Sequence, residues 1–339
     1  MSTMTNDLTT TAANTKVASG VGFALVAAAS FGLSGSLAKG LMDIGWTAGS
    51  AVLLRVTIAA LVLAIPGAIA LRGRWHLLAR NVGAIIAYGL FAVAGAQLFY
   101  FMAVQTLDVS IAMLIEYLAP VAVVLWLWLR NGHKPTRLTG VGAAISAVGL
   151  VLLINVFGGV HISLVGVGWA LGAMIVATVY FIISGDTSNP LPPISLAAAG
   201  LTVAAIVLGL VALVGILPMG FGAGDVEFQA FAIPAWLAVA LLGVVTAAIA
   251  YVAGIAATRR LGARLGSFVA LTEVLAAAIF AWVLLGQAPA PIQLLGAALM
   301  LAGVIVVKLG EPTDSPAESL TVEALPMAPR DDTMEPVAA

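Results

Sequence analysis

Long apolar stretches recur along nearly the whole chain, and short polar or Gly/Pro-containing segments separate them. A helix needs about 20 apolar residues to cross roughly 30 Å of hydrocarbon, so each long stretch without clustered charge predicts a membrane span. The ten stretches of this kind lie at residues 18–40, 46–71, 82–103, 109–129, 138–157, 165–184, 193–217, 235–257, 263–285 and 290–309. The pattern therefore predicts an all-α integral membrane protein with ten transmembrane helices.

The two ends of the chain are polar. Residues 1–17 are Thr-rich with one cation, Lys16, and predict a disordered cytoplasmic leader. A cleaved signal peptide is the alternative, but the first apolar stretch is longer than the 7 to 15 residues typical of one, and further spans follow it. Residues 310–339 are rich in acidic residues and proline, which predicts a disordered acidic cytoplasmic tail.

The chain also repeats itself. Gly142-Ala143-Ala144 and Gly149 match Gly296-Ala297-Ala298 and Gly303 at an offset of 154 residues, which also places Gly132 on Gly286 and Pro135 on Pro289. This predicts two five-helix units, residues 18–157 and 165–309. Because five is odd, the second unit enters the membrane from the opposite side, and such inverted repeats are typical of alternating-access carriers. The alternative is a chance resemblance between Ala- and Gly-rich helices.

Composition agrees with a membrane protein. The 339 residues are 62% hydrophobic and 9% charged, too few charges to cover a soluble protein of this size. The net charge of −1 gives no basic surface for nucleic acid, and the absence of cysteine excludes disulfides and thiolate chemistry.

Positive charges predict the orientation. If the N-terminus is cytoplasmic, all but two of the 14 Lys and Arg residues fall in inner loops, at inner span ends or in the tail. The exceptions are Lys39, at the outer end of the first span, and Arg55, inside the second. The positive-inside rule therefore predicts a multi-pass protein of the cytoplasmic membrane with both termini cytoplasmic.

Three charged residues lie well inside predicted spans: Arg55, Glu116 and Glu273. Each costs about 2.5 to 3.5 kcal/mol at the centre of an isolated helix, so each is expected to face protein or water. Arg55 and Glu116 lie at similar predicted depths and are the expected ion pair, which could either bind substrate or simply join two helices. Glu273 has no equally obvious cation and is a candidate proton carrier.

Weaker candidates are uncharged. They could contact substrate or serve as ordinary hydrogen-bonding groups between helices. Pro120, one turn after Glu116, predicts a kink that opens a polar cavity. The uncharged binding candidates are Gln97, Tyr100, Tyr117 and Ser34.

Two segments resemble a known family. Phe99-Tyr100, Val104-Gln105-Thr106 and Ile115-Glu116-Tyr117-Leu118-Ala119-Pro120 resemble the fourth-helix region of EamA-type transporters of the drug/metabolite transporter superfamily, especially the threonine and homoserine exporters. Leu271-Thr272-Glu273-Val274 and Leu284-Leu285-Gly286-Gln287 resemble the ninth helix. The resemblance covers residues 18–309.

This resemblance implies ten helices, a central cavity between two halves, and export of amino acids or related metabolites. By this resemblance, the family's functional roles are assigned to Arg55, Glu116, Pro120 and Glu273. The chain departs from the family pattern at Val274, often Pro, and at Gln287, often Glu, so no role is assigned to Gln287.

Other function classes have weaker support. The three histidines lie in or beside loops, and the chain has neither His-Glu-x-x-His nor an ATP-binding Gly-rich loop, which argues against an enzyme or a primary pump. We expect no cofactor and no metal, and a small molecule and the lipid bilayer as partners. A passive channel, an exporter of amphiphilic drugs, and a monomer or a homodimer stay open.

The repeat makes a direct prediction about sidedness. Reporters fused at residues 132 and 286 should report opposite faces of the membrane, with residue 132 cytoplasmic. Alkaline phosphatase and green fluorescent protein fusions measure this, because one is active only outside and the other only inside. The same side for both residues would contradict the inverted repeat.

Overall fold

A computed structural model describes residues 2–104, 106, 109–132, 135–154 and 163–310. The predicted tail, His133, Lys134, His161 and Gln105 of the family motif lie outside these ranges. The helices are α1 (Ser2–Asp43), α2 (Ala48–Leu71), α3 (His76–Arg80), α4 (Val82–Ala87), α5 (Ala96–Val104), α6 (Val109–Glu116), α7 (Ala119–Asn131), α8 (Arg137–Ile154), α9 (Leu164–Gly185), α10 (Pro193–Leu213), α11 (Ala235–Gly243), α12 (Ala250–Ala270), α13 (Thr272–Leu285) and α14 (Pro291–Leu309).

Two π-helical segments and one small hairpin complete the described elements. Tyr88–Gly95 joins α4 to α5, and Val244–Ile249 joins α11 to α12, so each forms one continuous helical rod with its neighbours. Strands β1 (Asp225–Glu227) and β2 (Ala232–Pro234) pair antiparallel, with Val226 opposite Ile233.

The helical membrane architecture is confirmed. Within the described ranges, seven helical stretches are long and apolar enough to cross a membrane. Three shorter apolar helices, Ala119–Arg130, Arg137–Leu152 and Thr272–Leu285, accompany them. Two of the shorter ones belong to predicted spans that the structure interrupts, at Tyr117 and Leu118 and at Leu271.

The leader differs from the predicted disorder, because α1 begins at Ser2. No Gly or Pro precedes Gly20, so nothing in this segment breaks a helix that extends back from the first apolar stretch. The apolar part of α1 is Val17–Asp43.

The sequence offset of 154 residues also relates local conformations. Gly132 and Gly286 both end a helix in the left-handed region, at φ 69° and 71°, which a side chain would disfavour. At the same offset, Tyr117 and Leu118, where the fourth predicted span is interrupted, correspond to residues 271 and 272, where the ninth is interrupted. The first π-helical segment corresponds at this offset to residues 242–249, and this range includes the second π-helical segment.

Helices α8 and α14 pack together through the matched glycines. A methyl group on Gly142 would lie 2.7 Å from the Gly303 carbonyl oxygen, and one on Gly149 would lie 2.7 Å from that of Gly296. The register is antiparallel, because the earlier glycine of α8 meets the later glycine of α14. Glycine lets the two backbones touch, which is the usual way helices associate closely in lipid.

The remaining helices pair across the two halves in a reciprocal pattern. Helix α1 packs against α12 and α13, whereas α9, the first helix of the second half, packs against α5, α6 and α7. Helix α2 packs along α10, where the Ser195 hydroxyl donates to the Gly67 carbonyl at 2.8 Å. The core is therefore built mostly from contacts between the halves.

The bundle has two chemically different ends. At one, which we call the arginine end, the start of α1 meets the turn at Gly262 through Gly20 and Leu261, and Thr136 donates to the Gly310 carbonyl at 2.8 Å. Loops and helix segments of this end hold Arg72, Arg74, Arg80, Arg130, Arg137, Arg259, Arg260 and Arg264.

At the other, the hairpin end, β1 and β2 cover the ends of α1 and α13. Val226 and Phe228 pack on Leu37 and Leu41, and the Gln229 amide donates to the Leu284 carbonyl at 2.8 Å. The Trp46 indole donates to the Gly222 carbonyl at 2.9 Å. Lys39 and Asp43 form an ion pair here. The hairpin thus joins the second half to the first at this end.

The glycine contact predicts a stability difference within one helix. Gly149→Ala should lower the free energy of unfolding by about 1 to 3 kcal/mol, because the added methyl group meets the α14 backbone. Gly140→Ala, in the same helix, has open space around it and should be neutral or slightly stabilising. The thermal unfolding midpoint of the purified protein in detergent measures both. Equal midpoints would contradict the tight α8–α14 contact.

Candidate substrate site

A cavity of about 820 Å³ lies between the two halves. Both halves contribute to its lining, from α1 and α2 on one side to α9, α12 and α13 on the other. All the side chains singled out from the sequence border it: Ser34, Arg55, Gln97, Tyr100, Glu116, Tyr117, Pro120 and Glu273. The fold thus gathers residues from five predicted spans into one place.

The two ends of the cavity differ in the exposure of their lining residues. Toward the hairpin it reaches Lys39, Met42 and Gln287, which are exposed. Toward the arginine end its last lining residues include Thr258 and Ser267, which are 2% and 1% exposed. The exposed lining residues named here therefore lie at the hairpin end.

Arg55 is the buried cation of the cavity, and the second π-helical segment holds it. Its Nη2 donates to the Thr246 carbonyl at 2.6 Å, and the guanidinium lies 5.8 Å from the centre of the Phe31 ring. A π-helical turn displaces backbone carbonyls from the regular ladder, which makes one of them available to a side chain. Arg55 is 8% exposed, and its Nε has no hydrogen-bond partner in the described part of the chain.

The predicted ion pair between Arg55 and Glu116 is wrong. The electrostatic neighbours of the Arg55 guanidinium are Tyr251 and Glu273, and the one ion pair formed within the described ranges is Lys39–Asp43. Packing explains the difference, because α1 draws α13 and its Glu273 toward the first half. Depth along a span predicts which residues share a level, but it does not predict which helices are neighbours.

The two acids occupy different helix ends. Glu273 lies in the first turn of α13, where the helix dipole favours a carboxylate, and Tyr117 is one of its neighbours. Glu116 is the last residue of α6, where the dipole opposes a carboxylate, and its neighbours include Tyr100 and Glu273. Pro120 starts α7 just beyond, so the chain breaks beside Glu116.

Sequence reasoning missed the aromatic floor of the cavity. Tyr180 and Tyr251 line it, with ring centres 6.2 Å apart, and Tyr88 packs beneath them at 5.8 Å from Tyr180 and 6.4 Å from Tyr251. Gln97 approaches the Tyr251 hydroxyl. A signal was present, because all five tyrosines of the chain fall within predicted spans, whereas membrane tyrosines concentrate at the interfaces.

Metal ligation has no support in the described residues. No three His, Asp or Glu side chains among them come together as a metal ion would require. What the arrangement offers is one fixed cation, two carboxyls and several hydroxyls around a water-accessible space.

Comparison with known proteins identifies the family. The EamA-like transporter family matches twice, over residues 18–155 and 164–309, and together the two matches cover most of the chain. The chain belongs to the EamA-like transporter family. It is a multi-pass membrane protein with the two-repeat EamA architecture, and family membership indicates a transporter rather than an enzyme.

Individual relatives share most of this length. The threonine/homoserine exporter RhtA of Escherichia coli K12 is 28% identical over 289 residues, covering 84% of this chain and 88% of that protein. RhtA of Salmonella typhimurium SL1344 is also 28% identical, over 290 residues. A crystal structure superposes with a TM-score of 0.66 at 22% identity, covering 85% of this chain and 97% of that one, which shows a shared fold.

Proposed function

We propose that this EamA protein is a secondary transporter that exports amino acids or related small polar metabolites by alternating access. The observation that carries the proposal is the placement of Arg55 and two glutamates around one cavity of about 820 Å³. An amino acid has a carboxylate for the guanidinium and an ammonium group for a glutamate. Charged groups that are costly in lipid are therefore explained by a zwitterionic ligand.

The relatives support this choice. RhtA is named as an exporter of threonine and homoserine, both small and hydroxylated. The cavity offers matching hydrogen-bonding groups in Ser34, Gln97, Tyr100 and Tyr117. We propose that Arg55 binds the substrate carboxylate and that Glu116 or Glu273 binds its ammonium group. The four uncharged groups then form hydrogen bonds with a polar side chain of the substrate.

We further propose ten spans in two inverted halves. Within the described ranges, the seven long and three shorter apolar helices add up to the expected ten. The antiparallel glycine contact between α8 and α14 supports a two-fold axis in the membrane plane, as does Ser146, whose hydroxyl faces Met300, its own counterpart 154 residues on, at 3.5 Å.

Orientation follows from the arginines. We place the arginine end and both termini in the cytoplasm of a cell whose inner or plasma membrane holds the protein, in line with the positive-inside rule. The cavity then faces outward, which is the state in which an exporter releases its substrate.

An exporter of amphiphilic drugs is a second candidate. The cavity volume falls within the roughly 300 to 1,000 Å³ of sites for drug-sized ligands, and Phe31, Tyr180, Phe181 and Tyr251 give it an aromatic wall. A passive channel is disfavoured, because the tyrosine floor closes the described path at the arginine end.

Exchange in vesicles tests the proposal. Vesicles loaded with threonine or homoserine should accelerate uptake of labelled threonine, since a carrier returns faster when loaded. Arg55→Gln should reduce this exchange about tenfold or more, because the substrate carboxylate loses its cation. Arg130→Gln, outside the cavity, is the matched control. Uptake of a panel of amphiphilic cations tests the second candidate, an exporter of amphiphilic drugs. Threonine uptake whose rate does not depend on the substrate inside the vesicles would contradict a carrier.

Proton coupling is a separate prediction. If Glu273 carries the proton, Glu273→Gln should make threonine flux independent of pH, whereas the parent protein should respond to an imposed pH gradient. Glu227→Gln, on the exposed hairpin, removes an acid outside the cavity and should keep the response. Flux is measured at several pH values with and without the gradient. An unchanged pH dependence in both Glu273→Gln and Glu116→Gln would exclude coupling through these acids.

A further inference from the structure

Below the tyrosine floor lies a second cluster of polar groups, formed by the buried Tyr88 and Ser184 and the half-buried Arg259. None of the three borders the central cavity, yet Tyr180, which does, packs against Tyr88. Tyr88 and Ser184 are both fully buried. One layer of aromatic rings therefore separates this cluster from the cavity.

Arg259 presents one edge of its guanidinium without a partner. Its Nη1 donates to the Leu191 carbonyl, whereas Nε and Nη2 are buried and have no partner among the residues that the structure describes. Nε and Nη2 form the side-on fork that binds the two oxygens of a carboxylate. A buried fork left open is costly, so it indicates a ligand that binds at another stage.

Two hydroxyls complete the cluster. The Tyr88 and Ser184 hydroxyls lie next to each other, and neither oxygen reaches a hydrogen-bond partner within the described ranges. The Tyr88 ring is also near Arg259, and the lack of a side chain at Gly200 makes room for it. The cluster thus combines one cation with two buried hydroxyl donors.

The nearby acid does not occupy the fork. Asp186 is the electrostatic neighbour of Arg259, but its carboxylate accepts hydrogen bonds from the Ser188 amide at 2.9 Å and the Ser188 hydroxyl at 2.6 Å. No ion pair joins Asp186 to Arg259. Asp186 therefore moderates the positive charge without filling the site.

We propose that Arg259, Tyr88 and Ser184 form a second anion-binding site that takes the substrate carboxylate when it arrives from the cytoplasm. This rests on the proposed export of amino acids and on the arginine end being cytoplasmic. In the described state Nε and Nη2 of Arg259 and the hydroxyl oxygens of Tyr88 and Ser184 are buried. When the cytoplasmic side opens, the carboxylate binds here first and then passes the tyrosine layer to Arg55.

Transport measured from each side separately tests the site. In inside-out vesicles, Arg259→Gln should raise the half-saturating concentration of threonine about tenfold to a hundredfold, because a charge-assisted bidentate contact is lost. In right-side-out vesicles the same variant should change it little. Tyr88→Phe and Ser184→Ala, which preserve packing, should each raise the cytoplasmic value about threefold to tenfold.

Arg260→Gln is the matched control. Arg260 is the next residue, but its Nη1 donates to the Ala256 carbonyl of its own helix at 2.8 Å and its guanidinium lies 4.5 Å from the Phe23 ring centre. It should leave the cytoplasmic half-saturating concentration near the parent value. An equal effect of Arg259→Gln and Arg260→Gln would overturn the site in favour of general surface charge.

Threonine amide separates binding from a structural role. Threonine amide lacks the carboxylate, so its transport should be equally weak in the parent protein and in Arg259→Gln. If Arg259 had only a structural role, Arg259→Gln would reduce the transport of threonine and of threonine amide alike. If removing chloride tightens threonine binding in the parent but not in Arg259→Gln, the site holds an inorganic anion and the substrate assignment is wrong. Absence of threonine transport by the parent would refute the proposed function itself.

Discussion

The hydrogen bond from Arg55 to the Thr246 carbonyl is the interaction on which the central site depends. A guanidinium within the bilayer needs both an anchor and a wet surrounding, and neither is available on an isolated helix. The second half of the chain supplies the anchor through a π-helical turn, and the first half supplies the cation. The cavity therefore exists only where the halves meet. Glu116 and Glu273 are brought to the same cavity by this contact between the halves.

Close backbone packing makes that meeting possible. Gly142, Gly149 and Gly303 let α8 and α14 touch, and this contact joins the last helix of one repeat to the last helix of the other. Contacts between the repeats, such as α1 with α12 and α2 with α10, dominate the rest of the core. The central site therefore depends on how the two halves pack against each other.

The polar groups form two levels separated by tyrosines. Above the floor, Arg55 and Glu273 share a cavity that reaches the hairpin end. Below it lie the buried hydroxyls of Tyr88 and Ser184 and two buried nitrogens of Arg259. An open cavity beside an occluded cluster is the asymmetry expected of one state of a two-state carrier. The same residues would exchange exposure in the other state.

The sequence by itself determined the membrane class, the repeat and the buried charged residues that line the cavity. Hydrophobic length and the cost of charge in lipid act locally, so the spans, the matched glycines at 132 and 286, and the candidates Arg55, Glu116 and Glu273 could be read from the chain. Only the tertiary structure decided which charge faces which. Glu273, not Glu116, is the electrostatic neighbour of Arg55, and Tyr180 and Tyr251 form one floor with Tyr88 beneath it. Helix neighbours depend on packing between distant segments, which no local pattern encodes.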